Sequence, residues 1–205
     1  MGWDYGLTPA GIFIHPRTTP GGIVLEVFDE LVSERAGISR FTDLVKMHSA
    51  IHYPECSFTH YGDPAGVEAA QTDERTCYQV QSDMGINVIP GIQSPEARHE
   101  AVRYWLTRQV DGAPAFRLSP RCKVLRRGFN GGYKWRRMQL SSQGGDDARY
   151  ADKPDKNSYS HPHDALQYPL TRLIEGIKTS QEMEKHRQER REVETMRRSA
   201  EAWRG

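Results

Sequence analysis

Ser158-Tyr159-Ser160-His161-Pro162-His163-Asp164-Ala165-Leu166-Gln167-Tyr168 is the stretch around which this chain reads. It sets one carboxylate, Asp164, beside two imidazoles and at the head of an apolar helical pattern. Pro162 suits a first helical turn, because its missing N–H would have no intrahelical partner there. An acid in that turn is favoured by the helix dipole. Leu166, Leu170, Leu173, Ile174 and Ile177 then recur at the spacing of an amphipathic helix. Pro169 falls inside the pattern and predicts a kink or a late helix start. Taken alone, Asp164 reads as an ordinary first-turn acid; other segments decide whether it does more.

Working outward, residues 2–15 read as a strand interrupted at Leu7-Thr8-Pro9, and residues 16–22 as a turn carrying two prolines and two glycines. Residues 23–32 alternate apolar side chains on both faces, which predicts a hairpin in a sheet covered on both sides. Thr42 is expected to cap a helix to Ile51, with Leu44, Val45, Met47, His48 and Ile51 inward. Cys56 to Tyr61 reads as a strand running into Gly62-Asp63-Pro64, where the proline restricts Asp63 to an extended backbone. Residues 67–84 read as a polar helix and 86–89 as a strand. Ser94-Pro95-Glu96 opens the best-signalled helix, with cap, first-turn proline and first-turn acid in order. Residues 115–118 and 133–136 read as strands, 122–129 as a short helix, and 141–156 as a polar, mobile loop. Beyond Gln181 acids and bases alternate closely around a thin seam of Val193, Met196, Ala200 and Trp203, a charged helical tail suited to solvent or to a partner helix. The domains expected are 1–178 and a tail, 179–205. The order of elements gives an α/β fold: a mixed sheet with helices on its faces.

The 28 basic and 27 acidic residues nearly cancel, so no global charge marks a nucleic-acid binder and any such surface is local. Cys56, Cys77 and Cys122 are odd in number and far apart, which offers neither a zinc motif nor a disulfide framework and fits a reducing compartment. With no signal peptide and no apolar run of ~18 residues, neither export nor a membrane span is expected. No phosphate-binding GxxxxGK[ST] loop is present, so ATP hydrolysis by this chain is not expected.

Two features carry chemistry. Asp4, Asp63 and Asp164 each sit at an element's end, where a side chain can be presented at one sheet edge. Three such carboxylates suit hard divalent cations, which take oxygen ligands. Two ions about 4 Å apart can activate water and stabilise a leaving oxygen in phosphodiester hydrolysis. Spacing alone does not single out this triple among 27 acids. Between residues 121 and 137 stand Arg121, Lys123, Arg126, Arg127, Lys134, Arg136 and Arg137 with no acid among them, interleaved with Phe129, Tyr133 and Trp135. Such a run can contact DNA phosphates, though its aromatics also suit a core. His161, His163 and Lys156 suit positions that orient or neutralise groups around a metal site.

The segments Gly2-Trp3-Asp4-Tyr5-Gly6-Leu7-Thr8-Pro9-Ala10, Tyr61-Gly62-Asp63-Pro64-Ala65-Gly66 and Lys156 to Tyr168 together resemble the nuclease domain of tailed-bacteriophage terminase large subunits. The resemblance spans about residues 1–175, and its last motif is the most specific. It implies an RNase H-like fold and a metal-dependent endonuclease that cuts concatemeric viral double-stranded DNA during genome packaging. By the same resemblance Asp4, Asp63 and Asp164 are the catalytic metal ligands, for Mg²⁺ or Mn²⁺ as two ions. The implied partners are DNA, a terminase ATPase domain, the small terminase subunit and the portal protein, in the host cytoplasm. The family's ATPase motor normally precedes this domain, so the chain is expected to be an isolated domain or a split gene product. A junction resolvase and a non-enzymatic packaging adaptor are the rival readings.

Overall fold

The computed structural model describes residues 1–6, 8–67, 69–70, 73–137 and 150–202, with backbone alone at 69–70, 73–74, 136–137, 152–153, 181 and 192–202. Residues 1–171 form one compact unit and 172–205 a second. The first is built on a six-stranded mixed sheet. Strands β1 (Gly2–Asp4), β2 (Ala10–Thr19) and β3 (Gly22–Val32) form an antiparallel meander. Helix α1 (Ile38–His52) leads to β4 (His60–Gly62), which runs parallel to β1. A single 3₁₀ turn (Pro64–Val67) follows, then a small ribbon of β5 (Ala69–Ala70) and β6 (Asp73–Thr76), then α2 (Cys77–Asp83). Strand β7 (Val88–Pro90) pairs parallel with β4, and α3 (Pro95–Thr107) comes next. A two-stranded ribbon of β8 (Gln109–Val110) and β9 (Ala113–Pro114) precedes β10 (Phe116–Leu118), which pairs parallel with β3. The strand order is β10-β3-β2-β1-β4-β7. Then come α4 (Lys123–Arg127), a wide turn at Gly128–Gly132, and an antiparallel ribbon of β11 (Trp135–Arg137) and β12 (Tyr150–Pro154). Helix α5 begins at Ser160 and runs to Ala202.

Period-two alternation on β1 decides what each face does. Trp3, fully buried, points into a cluster with Phe13, Phe41, Val45 and Ile86 under α1. Gly2 and Asp4 point the other way, toward α5. A side chain at Gly2 would run into the Ala165 carbonyl, so glycine lets strand and helix backbones touch. Pro169 has no N–H to give the carbonyl four residues earlier, which is Ala165. The oxygen thus left without its helical donor is the one that faces Gly2. The late helix start expected from Pro169 does not occur: α5 begins at Ser160, and its run from Ala165 to Thr171 is buried throughout. Tertiary packing outweighs the single lost helical bond.

Other expectations need correction. Helix α1 starts at Ile38 with Gly37 at its cap, and the Thr42 hydroxyl donates to the Ile38 carbonyl at 2.8 Å from inside the helix. Its buried stripe is Phe41, Thr42 and Val45, while Met47 and Ile51 are 57% and 66% exposed. The polar helix expected over 67–84 begins only at Cys77. There Thr76 and Gln79 cap each other reciprocally. Of the loop expected over 141–156, residues 150–154 form β12 and 141–149 lie outside the described residues. The side chains of Val193, Met196, Ala200 and Trp203 also lie outside them. Residues 172–202 continue as helix, with exposed i,i+3 and i,i+4 ion pairs such as Arg172–Glu175 and Lys185–Glu189. Among the described residues no helix is long and apolar enough to cross a membrane.

Candidate active site

Adjacent elements bring the three aspartates of the sequence motifs to one edge of the sheet. Asp4 ends β1. Strand β4 lies parallel beside it, with Trp3 opposite Gly62, so Asp63 follows directly next to Asp4. The Asp63 N–H donates to the Trp3 carbonyl at 3.2 Å, and its Oδ1 accepts from the Ala65 N–H at 3.0 Å. Asp164 comes from the first turns of α5, against the face of β1 that carries Asp4. The approach allowed by Gly2 sets that proximity.

The side chains around them are basic or aromatic. Oδ2 of Asp4 lies 2.7 Å from His161 Nδ1. The Lys156 ammonium donates to Asp164 Oδ2 at 2.8 Å, and an Arg98 guanidinium nitrogen lies 3.6 Å from Asp164 Oδ1. Arg98 also donates to the Tyr168 hydroxyl at 2.9 Å and stacks over that ring. Burial pushes the Asp4 carboxyl up to about 6; the His161 bond opposes this, and the charges of Asp164 and Asp63 add to it. The three carboxylates therefore share one field. Burial acts to lower the Lys156 ammonium, but its bond to Asp164 and the charges of Asp164 and Asp4 outweigh this and hold it above its ordinary value. A small open cleft is lined by Asp63, Asp164, Arg98, Lys156, Gln93 and Tyr168; Asp4 is buried and is not part of its lining. Among the described residues, no group of three or more His, Cys, Asp or Glu side chains is gathered so as to hold a metal ion.

The remaining predicted residues scatter. His163, two positions after His161, is buried away from the cleft, stacked parallel on Tyr133 at 4.5 Å and edge-on to Phe129 at 4.6 Å. Burial pushes its imidazole down to about 4, so it is neutral. A side chain at Gly128 would collide with its Nε2. Arg121, Lys123, Arg126, Arg127 and Lys134 are exposed; the side chains of Arg136 and Arg137 lie outside the described residues. Of the interleaved aromatics, Phe129 and Tyr133 pack against His163, and Trp135 lies edge-on to His99 with 41% exposure.

Sequence reasoning overlooked Arg98 and Glu30. The signal for Arg98 was present: it lies three residues before Ala101 and seven before Trp105, on the buried stripe of α3. A charge on such a stripe needs a partner, and Asp164 is that partner. Glu30 accepts from the Val124 and Leu125 N–H groups at 2.6 and 2.9 Å, fastening the basic helix α4 to β3. Nothing local in the sequence pairs residues so far apart.

Comparison with solved structures returns the nuclease domain of the large terminase from bacteriophage SPP1, with bound Mn. The two share 18% identity at a TM-score of 0.55, over 83% of this chain and 84% of that one. The two chains share a fold: a mixed sheet flanked by helices. The large terminase of a thermophilic bacteriophage, solved with ADP, matches over 84% of this chain at 14% identity and a TM-score of 0.59. The chain spans 39% of that protein's length. No protein-family model matches the sequence, and comparison with curated proteins gives no match. The likeness to large-terminase nuclease domains is thus one of architecture, a mixed sheet flanked by helices.

Proposed function

We propose that the chain is a divalent-metal-dependent endonuclease that cuts concatemeric viral double-stranded DNA during packaging. The observation that supports this is that β1, the end of β4 and α5 place Asp4, Asp63 and Asp164 near enough for the charges of Asp164 and Asp63 to act on Asp4, in a fold shared with a large-terminase nuclease domain; a bound cation would have to draw the three closer together. Their donor chemistry fits Mg²⁺ or Mn²⁺: all oxygen, and mutually repulsive enough to help push Asp4 up to about 6. Asp4, Asp63 and Asp164 would hold the metal, as one ion or two. A bound divalent ion supplies an activated water and neutralises charge on the phosphate.

The chain's own residues do the rest. His161 fixes the orientation of Asp4 through Nδ1. Arg98, itself pinned by Tyr168, holds Asp164. Lys156, whose side chain is 74% exposed, sets a positive charge at the mouth, where a DNA phosphate would arrive. Lys156 balances the charge of Asp164 through its 2.8 Å bond, a charge that a divalent cation held there would also balance. The exposed bases of the 121–137 stretch supply phosphate contacts along the duplex. Coupling to a terminase ATPase domain, a small terminase subunit and a portal protein belongs to the same proposal. The test is incubation of supercoiled plasmid with the protein and Mn²⁺. Cutting that EDTA abolishes and that Asp63→Ala removes supports the reading. Unchanged cutting by Asp63→Ala refutes the site.

A further inference from the structure

We propose that a second cleft, walled by Pro95, His99, Tyr133 and Pro154, is a nucleobase subsite beside the acidic edge. The proposal deepens the nuclease reading and rests on it. The cleft is open to solvent and has a cavity volume of about 100 Å³. Two prolines and two aromatic rings make its walls chiefly apolar. Yet Arg98, Lys156 and Asp164 line both this cleft and the acidic one. A ligand with an anionic group at those two cations therefore has its neighbouring part within reach of the rings. A nucleotide has that composition: a phosphate joined through a sugar to a flat, weakly polar base.

The walls are held rigid, as a stacking platform requires. Tyr133 lies flat on buried His163, 7° from parallel, and Phe129 buttresses that imidazole. The Tyr133 hydroxyl is fixed by His99 Nε2 at 3.1 Å and by Gln167 Nε2 at 3.2 Å. Trp135 stands edge-on to His99 at 5.1 Å. Burial and the adjacent Arg98 hold the His99 imidazole below its ordinary range, so this wall is uncharged near neutrality. Neutral rings favour a base, which offers a π-face whatever its identity. The base that enters is one drawn from the stack next to the engaged phosphate, and unstacking costs least at an unpaired or mismatched position.

The experiment titrates the protein in EDTA with deoxyadenosine 5′-monophosphate and, separately, with 2-deoxyribose 5-phosphate, followed by ¹H–¹⁵N NMR. Stacking of one base predicts that the nucleotide binds roughly 5- to 150-fold more tightly than the sugar phosphate. That ratio should fall toward one in His99→Ala and shrink in Trp135→Ala, with sugar-phosphate affinity unchanged. In the unsubstituted protein the nucleotide alone should shift resonances of His99, Tyr133 and Trp135, a readout that does not depend on either variant folding. A ratio near one, or shifts confined to other surfaces, overturns the subsite. Plasmid cutting is scored in parallel: a failed ratio with intact Mn²⁺-dependent cutting removes the subsite alone, and absent cutting removes the nuclease reading.

Discussion

Asp4→Asn should make this protein more stable at neutral pH while disabling it. In the folded chain the Asp4 carboxyl titrates at about 6 against 3.8 in an ordinary setting, chiefly because it is buried. A folded-state value raised in this way opposes folding once the group ionises. The penalty is absent well below pH 3.8, where Asp4 is protonated in both states, and begins to develop as pH rises past that value. It grows as pH rises through about 6 and is then constant. At 1.4 kcal/mol per pH unit the gap corresponds to about 3 kcal/mol at pH 7.5. Asparagine removes the charge, keeps the size, and can still meet His161 Nδ1, now without charge assistance. The net expected gain is therefore about 1–3 kcal/mol at pH 7.5, shrinking toward zero well below pH 3.8. Urea unfolding in EDTA measures it, as the difference between variant and parent at each pH. Adding Mn²⁺ should stabilise the parent more than the variant, since only the carboxylate is a strong hard-cation ligand. A variant that loses stability equally at both pH values would refute the reasoning, because Asp4 would then be a satisfied structural acid.

Four further outcomes follow from particular contacts. Gly128→Ala drives a methyl into His163 and should destabilise by about 1–3 kcal/mol in urea unfolding. Glu30→Ala removes the acceptor of two backbone N–H hydrogen bonds at the start of α4 and should cost about 2 kcal/mol; hydrogen exchange at Val124 and Leu125 should quicken. Arg126→Ala with Arg127→Ala should weaken DNA binding uniformly across sequences and lower the salt slope by about one for each lost phosphate contact. Arg98→Met should cut the cleavage rate by more than it weakens DNA binding, since Asp164 loses the guanidinium 3.6 Å away as well as the cleft losing one cation; single-turnover kinetics separates the two.

The residues that made the site legible are those whose local chemistry admits few settings. Pro162 announced the start of α5, but that helix opens at Ser160, so Asp164 falls just beyond the first turn and is not the first-turn acid expected; Pro64 marked Asp63 as lying just beyond a strand. The α3 start at Ser94 and Pro95 appears as read, with the Ser94 hydroxyl accepting from the Ala97 N–H. Misreadings came where a long-range contact overrode a local preference. Pro169 sits within a continuous helix because α5 is pressed onto Gly2. Thr42 is interior because Phe41 is needed under Trp3. The capping pair Thr76 and Gln79 was visible in the sequence and passed over, which cost the boundary of α2. The separate fates of His161 and His163 follow from a helix's 100° step per residue, which swings neighbours two apart to different surroundings. One meets Asp4 and the other meets Tyr133. The pairing of Arg98 with Asp164 joins helices 66 positions apart and needed coordinates, although its place on a buried stripe was a warning.

Calorimetric titration with Mn²⁺, on the parent chain and on Asp4→Asn, Asp63→Asn and Asp164→Asn, tests the central claim most directly. One cation pocket shared by three carboxylates predicts saturable binding that weakens as pH falls through about 6, where Asp4 takes up its proton, and that every one of the three substitutions impairs. Binding that survives any of them undiminished, or that ignores pH across that range, would contradict the account.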